Sequence, residues 1–233
     1  MDLLEIPRLI DISGVRANVT IEELDQIISL AKQHRFICAF AMPCFTKYMV
    51  DRLQDEPDIM VGGVVGFPSG ADTTFVKVAD ARDMIAAGVD ELDMVINVGA
   101  LKSGRYEMVE SDIRAVVEAA GSLPVKVILE VAYLTDEEIV KGARIAVGAG
   151  ARYVKTGTGW APRPTTVDHI RLIKSAVGDD ALIKAAGGVR DLDTLLQMVE
   201  AGCSRFGIGV NSIIKIMDEV YRRAGVKPPP VRG

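Results

Sequence analysis

The segment Ala149-Gly150-Ala151-Arg152-Tyr153-Val154-Lys155-Thr156-Gly157 reads as the last turn of a helix, a glycine turn and the start of a buried strand. Glycine accepts the left-handed backbone that closes many helices, and Tyr153-Val154 suits a pleated, half-buried surface. The pattern recurs. Ala87-Gly88-Val89-Asp90-Glu91-Leu92-Asp93 and Ala201-Gly202-Cys203-Ser204-Arg205-Phe206-Gly207 have the same form, with Asp93 and Gly207 at the seventh position where the first segment has Lys155. Such a repeat predicts equivalent units that aim the seventh side chain at similar places.

Outward from these junctions, short apolar runs alternate with amphipathic ones. Strands are predicted at residues 8–12, 36–42, 60–67, 91–97, 125–131, 153–157, 181–186 and 205–208. Helices are predicted at residues 20–34, 46–53, 74–87, 106–120, 136–147, 167–177, 192–200 and 213–223. Alternation implies right-handed βαβ units and a parallel sheet. Eight units close into a (β/α)8 TIM barrel, an α/β fold whose usual length is about 250 residues. The chain has 233 residues and no shift of composition, so one domain over residues 1–233 is expected. Residues 225–233 should be a flexible tail, since Pro228-Pro229-Pro230 cannot continue a helix. Thr20 with Glu23 and Thr135 with Glu138 fit capping boxes. Gly88, Gly121, Gly150, Gly178 and Gly202 mark helix ends.

Composition excludes several classes. The chain is 49% hydrophobic but only 5% aromatic, which suits strands buried on both faces. A net charge of −5 without a basic block argues against a nucleic-acid partner. No apolar run reaches the ~18 residues that span a bilayer, so no membrane partner is expected. Asp2, Glu5 and Arg8 interrupt the N-terminus, which does not read as a signal peptide. Cys38, Cys44 and Cys203 do not form a disulfide framework, so a reducing cytoplasm is the expected location. No metal is expected. His34 and His169 lie in helical patterns, and Cys38 and Cys44 are too far apart for a metal knuckle.

The strands contain charges. Alternation places Glu91 and Asp93, Lys126 and Glu130, Lys155, and Lys184 opposite apolar faces that must meet the helices. Six charged side chains from four neighbouring strands therefore point into one lumen. Buried charges need partners, and buried ion pairs contribute little to stability compared with apolar packing. A functional cluster explains them better than a structural ion network. Lys155 and Lys184 occupy similar positions on adjacent strands. Burial and a neighbouring cation both disfavour an ammonium, and a neutral amine is a nucleophile able to form a Schiff base. Asp93 is the acid–base candidate beside them.

Glycines follow the late strands. Gly187 and Gly188 end strand seven, and Gly207, Gly209, Asn211 and Ser212 surround the end of strand eight. These loops commonly form the phosphate site of this fold, with amides and a helix N-terminus facing the anion. Gly157, Thr158 and Gly159 after Lys155 would let substrate approach the backbone. Arg163 and Arg190 are further anion candidates.

Four segments carry a resemblance. They are Gly66-Phe67-Pro68-Ser69-Gly70-Ala71-Asp72-Thr73-Thr74, Glu91-Leu92-Asp93-Met94-Val95-Ile96-Asn97-Val98-Gly99-Ala100-Leu101-Lys102-Ser103-Gly104, Val154-Lys155-Thr156-Gly157-Thr158-Gly159 and Lys184-Ala185-Ala186-Gly187-Gly188-Val189-Arg190. From about Val61 to Gly207 the chain resembles the deoxyribose-phosphate aldolases. The resemblance implies Lys155 as the Schiff-base lysine, Lys184 as its activator and Asp93 as the proton shuttle. It also implies a small sugar phosphate or aldehyde as substrate and no cofactor. A homo-oligomer, dimer or larger, is expected only from the general habits of the fold. There are departures. Asp11-Ile12-Ser13 stands where the family has Asp-His-Thr, and Ala41-Met42 precede Pro43 where a cysteine is usual. Gly157 replaces a serine, Trp160-Ala161-Pro162-Arg163-Pro164 replaces a small glycine-rich stretch, and Ile208-Gly209-Val210 replaces a serine pair. A related aldolase with a different acceptor aldehyde stays open as a reading, as does a phosphosugar isomerase or binding barrel.

Overall fold

The computed structural model describes residues 1–230. Eight parallel strands close into a barrel in sequential order, β1 (Ile10–Gly14), β2 (Cys38–Ala41), β3 (Met60–Val65), β4 (Glu91–Val95), β5 (Val125–Ile128), β6 (Tyr153–Lys155), β7 (Leu182–Ala186) and β8 (Arg205–Ile208), with β8 pairing back to β1. Among the described residues the α-helices are α1 (Ile21–His34), α2 (Pro43–Leu53), α3 (Thr74–Ala87), α4 (Val98–Lys102), α5 (Tyr106–Ala120), α6 (Asp136–Gly148), α7 (Val167–Val177), α8 (Leu192–Glu200) and α9 (Val210–Ala224). The expected (β/α)8 TIM barrel is what forms.

Element boundaries differ from expectation for local reasons. Helix α2 begins at Pro43 rather than residue 46, because proline at the first helical position lacks only an N–H that would be unpaired anyway. The short helix α4 is additional, and Asn97 caps it by accepting from Ala100 N. Strand β5 ends at Ile128, since Glu130 adopts a left-handed backbone with φ 57° and a 3-10 turn follows over Val131–Tyr133. A 3-10 helix over Leu3–Leu9 takes the start predicted for the first strand. Thr135 and Glu138 form the expected capping box, and Thr166 with His169 form another. Thr20 caps α1, but Glu23 turns its carboxylate to Arg16. Over the described residues 225–230 no helix or strand forms, yet the Pro229 carbonyl accepts from Gln33 Nε2 at 2.8 Å, so this part of the expected tail is tied to α1. Residues 231–233 of that tail lie outside the described residues.

The main core is the layer between strands and helices. Leu92, Met94, Val127, Val154, Ile183 and Phe206 face outward into it and meet Leu24, Ile113, Ile139, Ile170, Leu195 and Ile213 from the helices. Alternation then sends the other strand residues into the lumen. No helix among the described residues is long and apolar enough to cross a membrane.

Candidate active site

The lumen brings together three carboxylates, Asp11, Glu91 and Asp93, and four bases, Lys126, Lys155, Lys184 and Arg205. Strand register sets the arrangement. Asp93 is paired with Lys126, Lys155 with Lys184, and Lys184 with Arg205 on successive strands. Lys126 Nζ lies 2.5 Å from Glu91 Oε1 and 3.1 Å from Asp93 Oδ1. Lys184 Nζ lies 2.6 Å from Asp93 Oδ2 and 2.5 Å from Asp11 Oδ2, the latter an ion contact off the direction of a hydrogen bond. Arg205 Nη2 spans Asp11 Oδ1 at 2.6 Å and Glu91 Oε1 at 2.8 Å. Lys155 Nζ has one carboxylate, Asp93 Oδ2, at 2.7 Å.

That inventory decides which base gives up its proton. Three of the four bases bridge two carboxylates each, and Lys155 shares one that is already engaged twice. Burial therefore prevails at Lys155. Desolvation first, then the Lys184 and Lys126 cations, push its ammonium down to about 8 against the pull of Asp93. Lys126 goes the other way. Burial disfavours its charge, but Asp93 and Glu91 outweigh that and hold it above the ordinary lysine value. Burial would raise the Asp93 carboxyl, yet Lys126, Lys155 and Lys184 keep it well below the usual carboxylate range. The result is a reactive amine beside a fixed anion and a second lysine.

Lys155 opens into a cavity of about 210 Å³ at the C-terminal ends of the strands. This is the face where catalytic sites of the fold form. Gly187, Gly188, Gly207, Gly209 and Ser212 line it, together with Thr158. Gly187 and Gly188 have φ of 85° and 108°, which only glycine adopts without strain. Gly209 is the N-cap of α9 and Ser212 lies in its first turn, so the N-terminus of this helix, with its unpaired first amides, adjoins the cavity. The charged residues in the lining are Arg16, Lys155 and Arg190, all basic. An anionic group suits this surface.

Four residues stand elsewhere than expected. Glu130 is not part of the lysine cluster, because its left-handed backbone turns the carboxylate to Thr158, whose N–H donates at 3.2 Å and whose hydroxyl also donates. Gly157 does not line the cavity; a Cβ there would lie 2.8 Å from Glu130 Oε1, so this glycine makes room for that carboxylate rather than for substrate. Asn211 is exposed outside the cavity lining, and Arg163 donates to the Ala132 carbonyl rather than facing the cavity.

Sequence reasoning missed Asp11 and Arg205. Both had a signal. Asp11 alternates with Ile10 and Ile12 in β1, and Arg205 occupies the fifth position of the repeat whose other members are Glu91 and Tyr153. Asp11, Cys38 and Glu91 also place three donor atoms within 4.8 Å of one another. The Arg205 guanidinium already bridges two of them, and burial pushes the Cys38 thiol well up, so this set holds an organic cation and disfavours a thiolate ligand.

Residues 10–216 match the model of the DeoC/LacD family aldolases. The chain belongs to that family. The DeoC/LacD match extends past both ends of the segment that carried the resemblance. The chain is 45% identical over 213 residues to a deoxyribose-phosphate aldolase of Sinorhizobium medicae, covering 91% of this chain and 86% of that one. It is 41% identical to one of Klebsiella pneumoniae, with coverage of 91% and 86%. Among solved structures it is similar to QR15, an aldolase, with TM-score 0.87, 34% identity, and 94% and 97% of the two chains covered. It is also similar to a tetrameric deoxyribose phosphate aldolase of Aeropyrum pernix, with TM-score 0.84, 26% identity, and coverage of 96% and 93%.

Proposed function

We propose that this class I aldolase reversibly cleaves 2-deoxy-D-ribose 5-phosphate to acetaldehyde and D-glyceraldehyde 3-phosphate through a Schiff base on Lys155. The observation that carries the reading is the pair of inward lysines on β6 and β7 sharing one carboxylate, with only Lys155 short of counter-ions. Neutral Lys155 adds to the C1 carbonyl of the open-chain sugar, and loss of water gives the iminium. A base takes the C3 hydroxyl proton, the C2–C3 bond breaks, and its electron pair moves to C2 as the enamine. The released C3–C5 fragment is glyceraldehyde 3-phosphate. Protonation at C2 and hydrolysis then free acetaldehyde and restore the amine. Lys184 supplies positive charge against Lys155 and, with Asp93 between the two amines, a path for protons. Asp93 is too strongly held as an anion to store a proton, so it relays one and orients both amines. The basic rim, the amides at Gly187 and Gly188, and the first turn of α9 receive the phosphate.

Borohydride trapping tests this. Reduction in the presence of the phosphorylated sugar should leave a substrate-derived adduct on Lys155 by peptide mass spectrometry, with unphosphorylated deoxyribose reacting less. No adduct with any carbonyl compound on folded protein sinks the Schiff-base reading. Equal reaction of both sugars removes the phosphate from it and favours the altered-acceptor alternative, for which Trp160 is the structural argument. It lines the cavity, its indole Nε1 donates to the Val15 carbonyl at 2.7 Å and its ring packs edge-on to Phe67.

The pH dependence follows from the sign of the Lys155 shift. The neutral amine attacks, and its fraction grows with pH, so kcat/KM rises along an acid limb centred at about 8. Two units below that point the neutral fraction, and with it kcat/KM, is down about 100-fold. Lys184→Met removes a cation that lowers Lys155, so the limb moves to higher pH. A steady-state pH profile of both chains reads this.

A homo-oligomer is part of the proposal. Phe75 is 83% exposed, and Tyr106 and Met108 are exposed as well. Large apolar side chains at a surface favour subunit contacts. Sedimentation velocity should give a mass of at least two chains, and Phe75→Asp should lower it.

A further inference from the structure

The lumen is not charged all round. Cys38, Phe40 and Val64 form a separate apolar cluster on β2 and β3, opposite the lysines. Phe40 is 2% exposed, and three ammonium groups surround its ring. Lys184 Nζ is 4.2 Å from the ring centroid, Lys126 Nζ 5.4 Å and Lys155 Nζ 5.9 Å. An aromatic face attracts a cation within about 6 Å, and the attraction strengthens when both are desolvated.

The seat of this ring is built into the neighbouring strand. Phe40 is paired in register with Gly62. A Cβ at position 62 would lie 2.1 Å from Phe40 Cζ and 2.2 Å from Cε1. The glycine therefore has a specific reason: any side chain there would displace the ring. Packing alone does not ask for a phenyl group beneath three ammonium groups, since an aliphatic side chain fills volume equally well and carries no negative face.

We propose that Phe40 is a positioning residue for the amine pair. Its ring face, with Asp11 and Asp93, fixes the Lys184 ammonium and so keeps a cation at a set distance from Lys155. The two carboxylates contact Lys184 Nζ at 2.5 and 2.6 Å, and the ring closes a further side. The charged groups behind this arrangement are Lys126, Glu91 and Arg205, each already tied into the network. The inference rests on Lys155 being the nucleophile.

The test replaces Phe40 in the full-length chain with 3,5-difluoro- and pentafluorophenylalanine, with phenylalanine introduced by the same route as control. Fluorine withdraws density from the ring face and, at five substituents, reverses its sign while keeping the ring. Turnover of 2-deoxyribose 5-phosphate should fall in steps to about 5- to 30-fold in kcat, with KM within about twofold. Phe40→Leu, which has no ring face to attract or repel the cation, should fall between the difluoro and pentafluoro chains. Gly62→Ala should lower both melting temperature and kcat. Adding Phe40→Leu to it should restore the melting temperature but not kcat, because space is regained and the ring face is not. A kcat unchanged across the fluorine series, or wild-type kcat in Phe40→Leu, overturns the proposal. The difluoro ring adds the least bulk and decides the matter if the pentafluoro chain does not fold. Borohydride trapping on the native chain separates the two failures: an adduct on Lys155 with a flat fluorine series removes only the role of Phe40, whereas no adduct removes the Schiff-base reading beneath it.

Discussion

Lys155→Met lowers kcat by about 10⁴-fold or more and, at pH 7, raises the melting temperature. The first effect follows from chemistry. Without the amine no iminium forms, the C2 carbanion has no electron sink, and the remaining groups supply only binding and electrostatics. The second follows from linkage. The ammonium of Lys155 has an ordinary value of 10.5 and is lowered to about 8 in the folded chain. A lowered lysine means that the fold disfavours the charged form. The cost is full below about 8 and relieved as pH rises from there to 10.5, where folded and unfolded chains both hold the neutral amine. The shift corresponds to about 3 kcal/mol, carried by a side chain only 6% exposed. Methionine fills similar volume without a charge to desolvate, and Asp93 keeps Lys126 and Lys184 as partners. For a chain of this size each kcal/mol moves the midpoint by about 2–4 °C, so a rise of several degrees is expected. Thermal melts at pH 7 and at pH 10 check it: the gain should shrink at the higher pH. A melting temperature that falls equally at both would mean that Lys155 is a structural ion-pair partner.

The barrel was readable because its signals are local and repeated. The seven-residue junction at Ala87, Ala149 and Ala201 marks strands β4, β6 and β8, and the structure places all three as expected. The lysine–aspartate cluster was readable for a related reason: a charge within an apolar strand has no other place to go than a lumen. What was not readable depends on contacts between distant segments. Glu130 fitted strand alternation, but a left-handed residue just past β5 re-aims it at Thr158. Gly157 looked like a substrate-facing glycine, yet the atom it accommodates is Glu130 Oε1. Arg163 is drawn away by the Ala132 carbonyl, 31 residues earlier in the chain. Asp11 and Arg205 sit on β1 and β8, which meet only when the barrel closes. Their charges were visible in the sequence; their membership of the cluster is a property of closure.

Asp93→Asn should cost about 3–5 kcal/mol of stability, the usual range when one partner of a buried ion pair is removed, and most of the activity as well. Asp93 is the carboxylate that touches three lysines, with Nζ distances of 3.1 Å to Lys126, 2.7 Å to Lys155 and 2.6 Å to Lys184. Its loss leaves Asp11 and Glu91 facing Lys126, Lys184 and Arg205, one charge short even with Lys155 neutral. An asparagine amide keeps one neutral acceptor oxygen where the carboxylate offered two charged ones to three donors, and its NH₂ presents further donors to ammonium groups. Linkage gives the sign with pH. The Asp93 carboxyl is held well below its ordinary 3.8 in the folded chain, so its contribution is complete above that value and is lost as pH falls through the folded value. The native chain should therefore lose stability below about pH 4 more steeply than the Asn variant, and the two curves should converge in acid. Activity distinguishes this from a purely structural role. Lys155 loses its counter-ion in the variant, so its acid limb moves to lower pH while kcat falls, because the relay between the two amines is gone. Denaturant melts from pH 3 to 8, with a pH profile of residual kcat/KM, read both effects. A variant with native stability at pH 7 would mean that water or another carboxylate takes over the three lysines, and the charge inventory that selects Lys155 would no longer hold.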